Sequence, residues 1–322
     1  MRPLLHVGYH KTGTSWMQAQ FFAHRQSGFS LIRSRTAEEA LVFPHGFSFD
    51  ARKTRLTFSK WLSDSEGEGL IPVISAERLT GHPDAGGYDS KEIADRLLAV
   101  FPEARVLITV REQKAIALAM YNQYIRAAGQ CTIEEYLRPT LRGSTRTPWF
   151  ALEYLEFDKC VKYYRSLFGS ENVLVLPYER FVRNPIDFLH RLVEYAEAPC
   201  QADFISTLPF SLRVKQSFSS VGTSIKRRLN PIFVRDRALP HSLLASEGGN
   251  LRLKRFVATI DRCLPKSIRA AADAKMRRRI ERVIAGYYKQ SNANLQEMVD
   301  FDLREHGYDI EARVPASAAM AR

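Results

Sequence analysis

The first two dozen residues constrain the fold more than any other stretch. Leu4 to Val7 is a short apolar run, the pattern of a strand buried on both faces. Gly8 and Gly13 then bracket a hydroxyl-rich turn that carries one lysine, Lys11. From Trp16 to Phe22 apolar residues return at helical spacing. A strand that feeds a helix through such a turn aims successive backbone N–H groups and the positive end of the helix dipole at one point. The turn is therefore predicted to be an anion cradle. Thr12, Thr14 and Ser15 add hydroxyl donors, and Lys11 adds a mobile cation. The predicted ligand carries a phosphate. The nucleoside-triphosphate loop, G-x-x-x-x-G-K-[ST], places its lysine after the second glycine. Here Lys11 precedes Gly13, which turns the reading away from that class.

The same alternation continues along the chain. Residues 70–75, 105–110 and 173–176 read as strands, and 91–100, 115–128 and 157–168 as helices, the last stopped by Gly169. Thr132 and Glu135 have capping-box spacing, and Asn184-Pro185 opens a helix to about Ala196. This order predicts an α/β fold with a mainly parallel central sheet flanked by helices. From about Leu251 the chain reads as helical, with 270–289 the longest candidate. Residues 43–65 show no clean period and are read as helix and loop at the edge of the active site, and 208–244 read as an irregular basic loop or lid. A single domain over 1–312 with a frayed tail at 313–322 is expected.

The 322 residues carry 47 Lys and Arg against 35 Asp and Glu, a net charge of +12, which suits a polyanionic ligand. Part of the excess sits in Lys226-Arg227-Arg228 and Arg277-Arg278-Arg279, each readable as a solvated helix face. Basic clusters without interleaved aromatics argue against nucleic acid as the partner. No apolar run approaches the roughly 20 residues of a membrane span, and the chain enters its first strand without signal-peptide architecture, so a cytoplasmic location is expected. Cys131, Cys160, Cys200 and Cys263 are scattered without C-x-x-C spacing, which predicts reduced, mostly buried thiols and no zinc site.

Lys11-Thr12-Gly13-Thr14-Ser15-Trp16 resembles the 5′-phosphosulfate loop of the sulfotransferases that use 3′-phosphoadenosine-5′-phosphosulfate (PAPS), and Arg111-Glu112-Gln113, followed by a helix bearing Tyr121, looks especially like the bacterial members. The resemblance implies a three-layer P-loop-like fold with a helical C-terminal part and PAPS as co-substrate without a metal. It also implies that His10, Lys11, Thr12, Gly13, Thr14, Ser15 and Trp16 line the phosphosulfate. In that family a strand ends in an arginine, and a serine eight positions later joins it on the 3′-phosphate. Arg111 ends the strand 105–110 here, at the sheet edge where ligands bind in such folds. Glu112 is its competing salt-bridge partner. Ala119 stands at the serine position and offers no hydroxyl, with Tyr121, Asn122 and Gln123 as nearby substitutes. The run 173–179 ends in Tyr178-Glu179, as in bacterial relatives, with Glu179 read as a brace; the segment 287–292 is read as packing. Relatives lay a basic C-terminal loop over the 3′-phosphate, and Arg213, Lys215 and Ser217, on through Lys226-Arg227-Arg228, fit that part.

The implied reaction is in-line sulfuryl transfer to a hydroxyl, or less favourably an amine, of an acceptor such as a carbohydrate or other hydroxyl compound. Lys11 is assigned to the leaving phosphate. Three residues are candidates for the base, in the order Glu77, His82 and His10. For Glu77 the competing role is pairing with Arg78 or Arg111. Acceptor contacts are expected from 43–65, 81–88 and 130–149. Two other readings stay open: a P-loop kinase-like phosphotransferase, and a nucleotide- or polyanion-binding protein impaired in catalysis.

Overall fold

The computed structural model describes residues 1–138, 150–212, 218–233 and 248–310. Five parallel strands form one sheet in the order β2-β3-β1-β4-β5. They are β1 (Leu4–Gly8), β2 (Phe29–Leu31), β3 (Ile71–Ser75), β4 (Arg105–Val110) and β5 (Val173–Pro177). β1 is central, with Leu5 opposite Ile74 of β3 and Val106 of β4, and Gly8 opposite Thr109. The carboxyl ends of β3, β1 and β4 therefore lie side by side, and the loops leaving them open onto one edge.

Alternation along the strands builds two cores, one on each face of the sheet. Leu5, Val7, Ile74, Val106 and Ile108 join the larger. Its cover includes α2 (Ser34–Leu41), α3 (Ala51–Gly67), α4 (Ser90–Val100), α5 (Gln113–Arg126), α6 (Ile133–Leu137) and α7 (Phe157–Phe168). Leu4, Val73, Leu107 and Leu176 face the other way, toward α1 (Thr14–Trp16), the π-helical turn Met17–Phe22 that continues it, and α9 (Pro185–Ala196), which follows α8 (Tyr178–Arg183). Sheet between two helical layers is the expected three-layer arrangement. The C-terminal part is helical as expected: α10 (Ser220–Phe233), α11 (Gly249–Cys263), α12 (Lys266–Ile284) and α13 (Lys289–Gln296).

Local chemistry explains the boundaries. Thr132 caps α6 with both halves of the capping box, and Asn184 caps α9 ahead of Pro185. α7 ends where Gly169 takes a positive φ. Two segments differ from expectation, and a third, 43–65, takes the helix-and-loop form expected of it. Residues 43–65 contain most of α3, capped by Asp50; within it only Thr54, Phe58 and Ser65 are buried, so the helical period is hard to see. The stretch 208–244 is not irregular throughout, because α10 occupies 220–233. Its Lys226 is fully buried and donates to Asn230 Oδ1 at 2.5 Å and Asn250 Oδ1 at 2.9 Å, and burial lowers its pKa to about 8. Lys226 is thus neither lid nor solvated face. The longest C-terminal helix is 266–284 and not 270–289, the chain turning at Gly286 with φ +71°. The four cysteines are free, but Cys263 is exposed and the others half-buried, against the expectation of mostly buried thiols.

Candidate active site

β1 runs into the predicted cradle at Gly8. A Cβ there would lie 2.7 Å from Thr109 Oγ1, 2.8 Å from Thr14 Oγ1 and 2.9 Å from His6 Nε2, so only glycine lets the loop turn against β4. The Tyr9 N–H donates to the Thr109 carbonyl at 3.1 Å. Lys11 and Gly13 both adopt left-handed backbone, φ +68° and +88°. The Gly13 carbonyl then accepts from the N–H groups of Trp16 and Met17, which starts α1. Thr12 Oγ1 donates to the Tyr9 carbonyl at 2.5 Å and lies 2.8 Å from Thr109 Oγ1. Arg111 Nη1 donates to the Lys11 carbonyl at 2.9 Å while its guanidinium sits 4.8 Å over the Tyr178 ring. Arg111 thus clamps the backbone of the one lysine in the loop. Glu112, its expected competitor, instead caps α5 by accepting from the N–H groups of Lys114 and Ala115.

Thr14 Oγ1 is buried beside Gly8 and makes no hydrogen bond among the described residues. A buried hydroxyl without a partner costs free energy, and an anion seated in the loop would supply one. The donor set of loop amides, Thr14, Ser15 and Lys11 fits a phosphosulfate. Trp16 serves packing, its ring stacked on Phe210 at 5.4 Å and against Phe181 at 5.0 Å.

Under the loop lies a polar chain across three strands. Ser75 Oγ is 2.8 Å from His6 Nδ1, His6 Nε2 is 3.4 Å from Thr109 Oγ1, and Thr109 meets Thr12 as above. Gln18 Nε2 donates to the Ser75 carbonyl at 2.7 Å. His6 is fully buried, and desolvation lowers its pKa to about 3 against a smaller opposing pull from Glu77, so it is neutral. These residues form no motif in the sequence. Their signal was one hydrogen-bonding side chain near the end of each apolar run, in Leu4-Leu5-His6-Val7, Ile71-Pro72-Val73-Ile74-Ser75 and Leu107-Ile108-Thr109-Val110.

On the β3 side, Glu77 follows Ala76 at the strand exit. Its Oε1 lies 3.5 Å from Ser15 Oγ and its Oε2 3.4 Å from His10 Nδ1. The His10 ring is buried, and neither nitrogen makes a hydrogen bond among the described residues. Arg78 pairs with Asp89 at 3.0 Å instead of with Glu77. Burial raises the Glu38 carboxyl of α2, with Arg78 and His10 opposing and Glu77 reinforcing the rise. The structure thus brings together Lys11, Thr12, Gly13, Thr14, Ser15, His10, Glu77 and Arg111. His82 lies beyond the following turn, exposed overall with its ring partly desolvated; its N–H donates to Asp89 Oδ1, and that partial desolvation and then Arg78 lower its imidazole pKa.

The Ala119 position gains no hydroxyl from two of its neighbours. The Tyr121 OH donates to the Cys131 carbonyl, and Asn122 is buried and accepts from Thr223 Oγ1 at 2.9 Å. Arg213, Lys215 and Ser217 lie outside the described residues. Glu179 Oε1 accepts from the Glu112 N–H at 3.0 Å, bracing the exit of β4 as expected. Asn292 is buried and bonds Gln113, consistent with packing. Among the described residues no group of three or more His, Cys, Asp or Glu could hold a metal ion, and no helix is long and apolar enough to cross a membrane.

Residues 90–202, from α4 through α9 and including Arg111 and Glu179, match the model of the sulfotransferase family. Solved structures similar to this chain include a sulfotransferase from Alicyclobacillus acidocaldarius, at 19% identity over 67% of this chain and 87% of that one, with a TM-score of 0.48. Another is a sulfotransferase from Mycobacterium avium, at 14% identity over 80% and 76%, TM-score 0.38. A mouse sulfotransferase complexed with PAP aligns at 12% identity over 92% and 90%, TM-score 0.34. No curated protein matches the chain. The match to the sulfotransferase family model covers 113 of the 322 residues, the part of the chain that runs from α4 to just beyond α9.

Proposed function

We propose that this chain is a sulfotransferase that transfers the sulfuryl group of PAPS to a hydroxyl of an acceptor, a carbohydrate or other hydroxyl compound, by in-line displacement, as the match of residues 90–202 to the sulfotransferase family model supports. The observation that carries the reading is a carboxylate at the rim of an anion cradle: Glu77 reaches Ser15 Oγ at 3.5 Å and faces His10 of the same loop. The loop amides with Thr14 and Ser15 hold the 5′-phosphosulfate. Glu77 takes the acceptor proton as the acceptor oxygen bonds to sulfur. The bond from sulfur to the 5′-phosphate oxygen breaks, and the Lys11 ammonium stabilises the charge left on that oxygen. Arg111 fixes Lys11 through its carbonyl and offers its remaining N–H groups to a phosphate. His10, Thr12, Gly13 and Trp16 shape the loop. His82 is the rival base, and Arg213 and Lys215 are assigned to the 3′-phosphate. We place the reaction in the cytoplasm, in keeping with four free thiols.

A specific observation favours a second reading, a nucleotide-binding protein impaired in transfer: Ala119 carries no hydroxyl, and the Tyr121 OH already donates to the Cys131 carbonyl. The test is a pair of measurements. Tighter binding of 3′-phosphoadenosine-5′-phosphate than of ATP with magnesium is expected, and the reverse order sinks the PAPS assignment. Transfer of labelled sulfate from PAPS to a panel of hydroxyl acceptors follows. Lys11→Ala is expected to cut the rate about 10²–10³-fold. Glu77→Gln is expected to cut it about 10²–10⁴-fold while His82→Asn stays within a few-fold; the opposite ranking moves the base to His82. Nucleotide binding without transfer to any acceptor selects the second reading.

A further inference from the structure

The charge of this chain is concentrated in one place away from the cradle. Helices α11 and α12 hold eleven Lys and Arg against three Asp and Glu, a net +8 of the chain's +12. Two of the three acids are spent inward. Asp261 accepts from the Ser219 N–H at 2.9 Å and Asp273 from the Ser220 N–H at 2.7 Å, so both carboxylates serve the start of α10. Arg279 is paired with Glu134. Among the described residues, Arg252, Arg255 and Arg262 form no ion pair.

These three arginines share one face. At about 100° per residue, positions 251, 252, 255, 256 and 262 of α11 fall within an arc of about 140°. All five are exposed, while Leu253 and Val257 on the opposite side are buried in a cluster with Ile225 and Leu229 of α10, Phe218 and Ala128. The arc is not purely polar. Leu251 at its rim is 55% exposed and Phe256 at the other rim 56%, and Ile268, one turn into the basic start of α12, is 49% exposed. Arginines flanked by outward apolar side chains are an unfavourable surface to leave in water, yet no described element covers them.

We infer that the outer face of α11, with the start of α12, is a docking surface for an anionic lipid bilayer. A soluble polyanion rewards the arginines alone. A bilayer interface rewards both halves of the pattern, because phosphate headgroups meet the guanidinium groups while Leu251, Phe256 and Ile268 enter the headgroup–acyl boundary. The chain would thereby sit on a membrane without spanning it. This surface is independent of the sulfuryl-transfer reading, since none of its residues belongs to the cradle.

The experiment is co-sedimentation of the full chain with vesicles of phosphatidylcholine, with and without phosphatidylserine. Strong preference for the phosphatidylserine vesicles, weakened by salt, is expected. Arg252→Gln/Arg255→Gln/Arg262→Gln should lose on the order of a hundredfold in vesicle affinity. Leu251→Ser/Phe256→Ser should lose vesicle binding and keep binding to a sulfated polysaccharide. Binding of 3′-phosphoadenosine-5′-phosphate and an unchanged melting temperature certify that each variant is folded. Equal binding to both vesicle types overturns the inference. So does polysaccharide or nucleic-acid binding that depends on the arginines with no vesicle binding, which reassigns the face to a soluble polyanion.

Discussion

Replacing Thr109 by valine removes one hydroxyl and almost no volume, and it isolates what the polar chain under the cradle contributes. Thr109 is fully buried on β4, and its carbonyl, which takes the Tyr9 N–H, is untouched by the change. The hydroxyl is 2.8 Å from Thr12 Oγ1 and 3.4 Å from His6 Nε2. Thr12 keeps its 2.5 Å bond to the Tyr9 carbonyl, so it loses only a second contact. His6 keeps Ser75 at 2.8 Å on its other nitrogen, but Nε2 is left buried without a partner. A lost buried contact of this kind plus one orphaned ring nitrogen costs about 1–3 kcal/mol. For a chain of this size that is a fall in melting temperature of a few degrees, about 2–4 °C per kcal/mol at most. The loop hangs on the same hydroxyl, so affinity for 3′-phosphoadenosine-5′-phosphate should fall several-fold as well. Thr109→Ser keeps the hydroxyl and deletes a methyl. It should lose stability through packing, about 1 kcal/mol, while nucleotide affinity stays near the parent's. Calorimetry and titration calorimetry on the three proteins read both quantities. If valine binds nucleotide as well as threonine does, the chain from Ser75 to Thr12 does not organise the cradle and the reasoning fails.

Other outcomes follow from the same geometry. Because burial holds His6 at about 3 in the folded chain against 6.5 unfolded, the unfolded state takes up a proton that the native state refuses. This contribution should be flat above pH 6.5 and erode stability by about 1.4 kcal/mol per pH unit as pH falls toward 3; denaturant titrations in which His6→Gln does not flatten that slope would refute it. Gly13→Ala forces a side chain to φ +88° with its Cβ 3.2 Å from Tyr178, so it should cost at least about 1 kcal/mol and weaken nucleotide binding more than stability, as read by melting and titration. Arg111→Lys loses the fork that reaches the Lys11 carbonyl while lying on Tyr178; nucleotide affinity should drop about tenfold with melting temperature nearly unchanged, and equal losses in both would make Arg111 merely structural. Thr132→Ala should cost about 1 kcal/mol through the lost α6 cap and leave nucleotide affinity alone.

The three-layer fold was legible because parallel strands buried on both faces must be continuous apolar runs, and four of the five strands are. β2 escaped because three residues, Phe29 to Leu31, give no period to read. The bounds of helix α3 were hidden for the opposite reason: a long helix at the surface with few buried positions carries little amphipathic signal. The cradle itself was readable from Gly8, Lys11 and Gly13, since left-handed backbone and close strand approach are written in glycine. Lys11 is the exception, a non-glycine residue at φ +68° that the sequence does not announce. What tethers it, the bond from Arg111 across a hundred residues, depends on register between β1 and β4 and has no local signature.

That register also accounts for the hidden half of the site. An anion cradle needs its amides fixed before the ligand arrives, because donors that must be ordered during binding lose affinity to entropy. Five parallel strands alone fix only the ends of the loop. Tying Thr12 back to Thr109, and Thr109 through His6 to Ser75, joins the loop to β4, β1 and β3 at once. The tie is built from hydroxyls and a neutral imidazole, so it adds no charge beneath a site meant for anions; a lysine or carboxylate in place of His6 would compete with Lys11 or repel the ligand. Burial deep enough to keep His6 uncharged is thus a requirement of the cradle, and the acid sensitivity predicted above is the physical cost of meeting it.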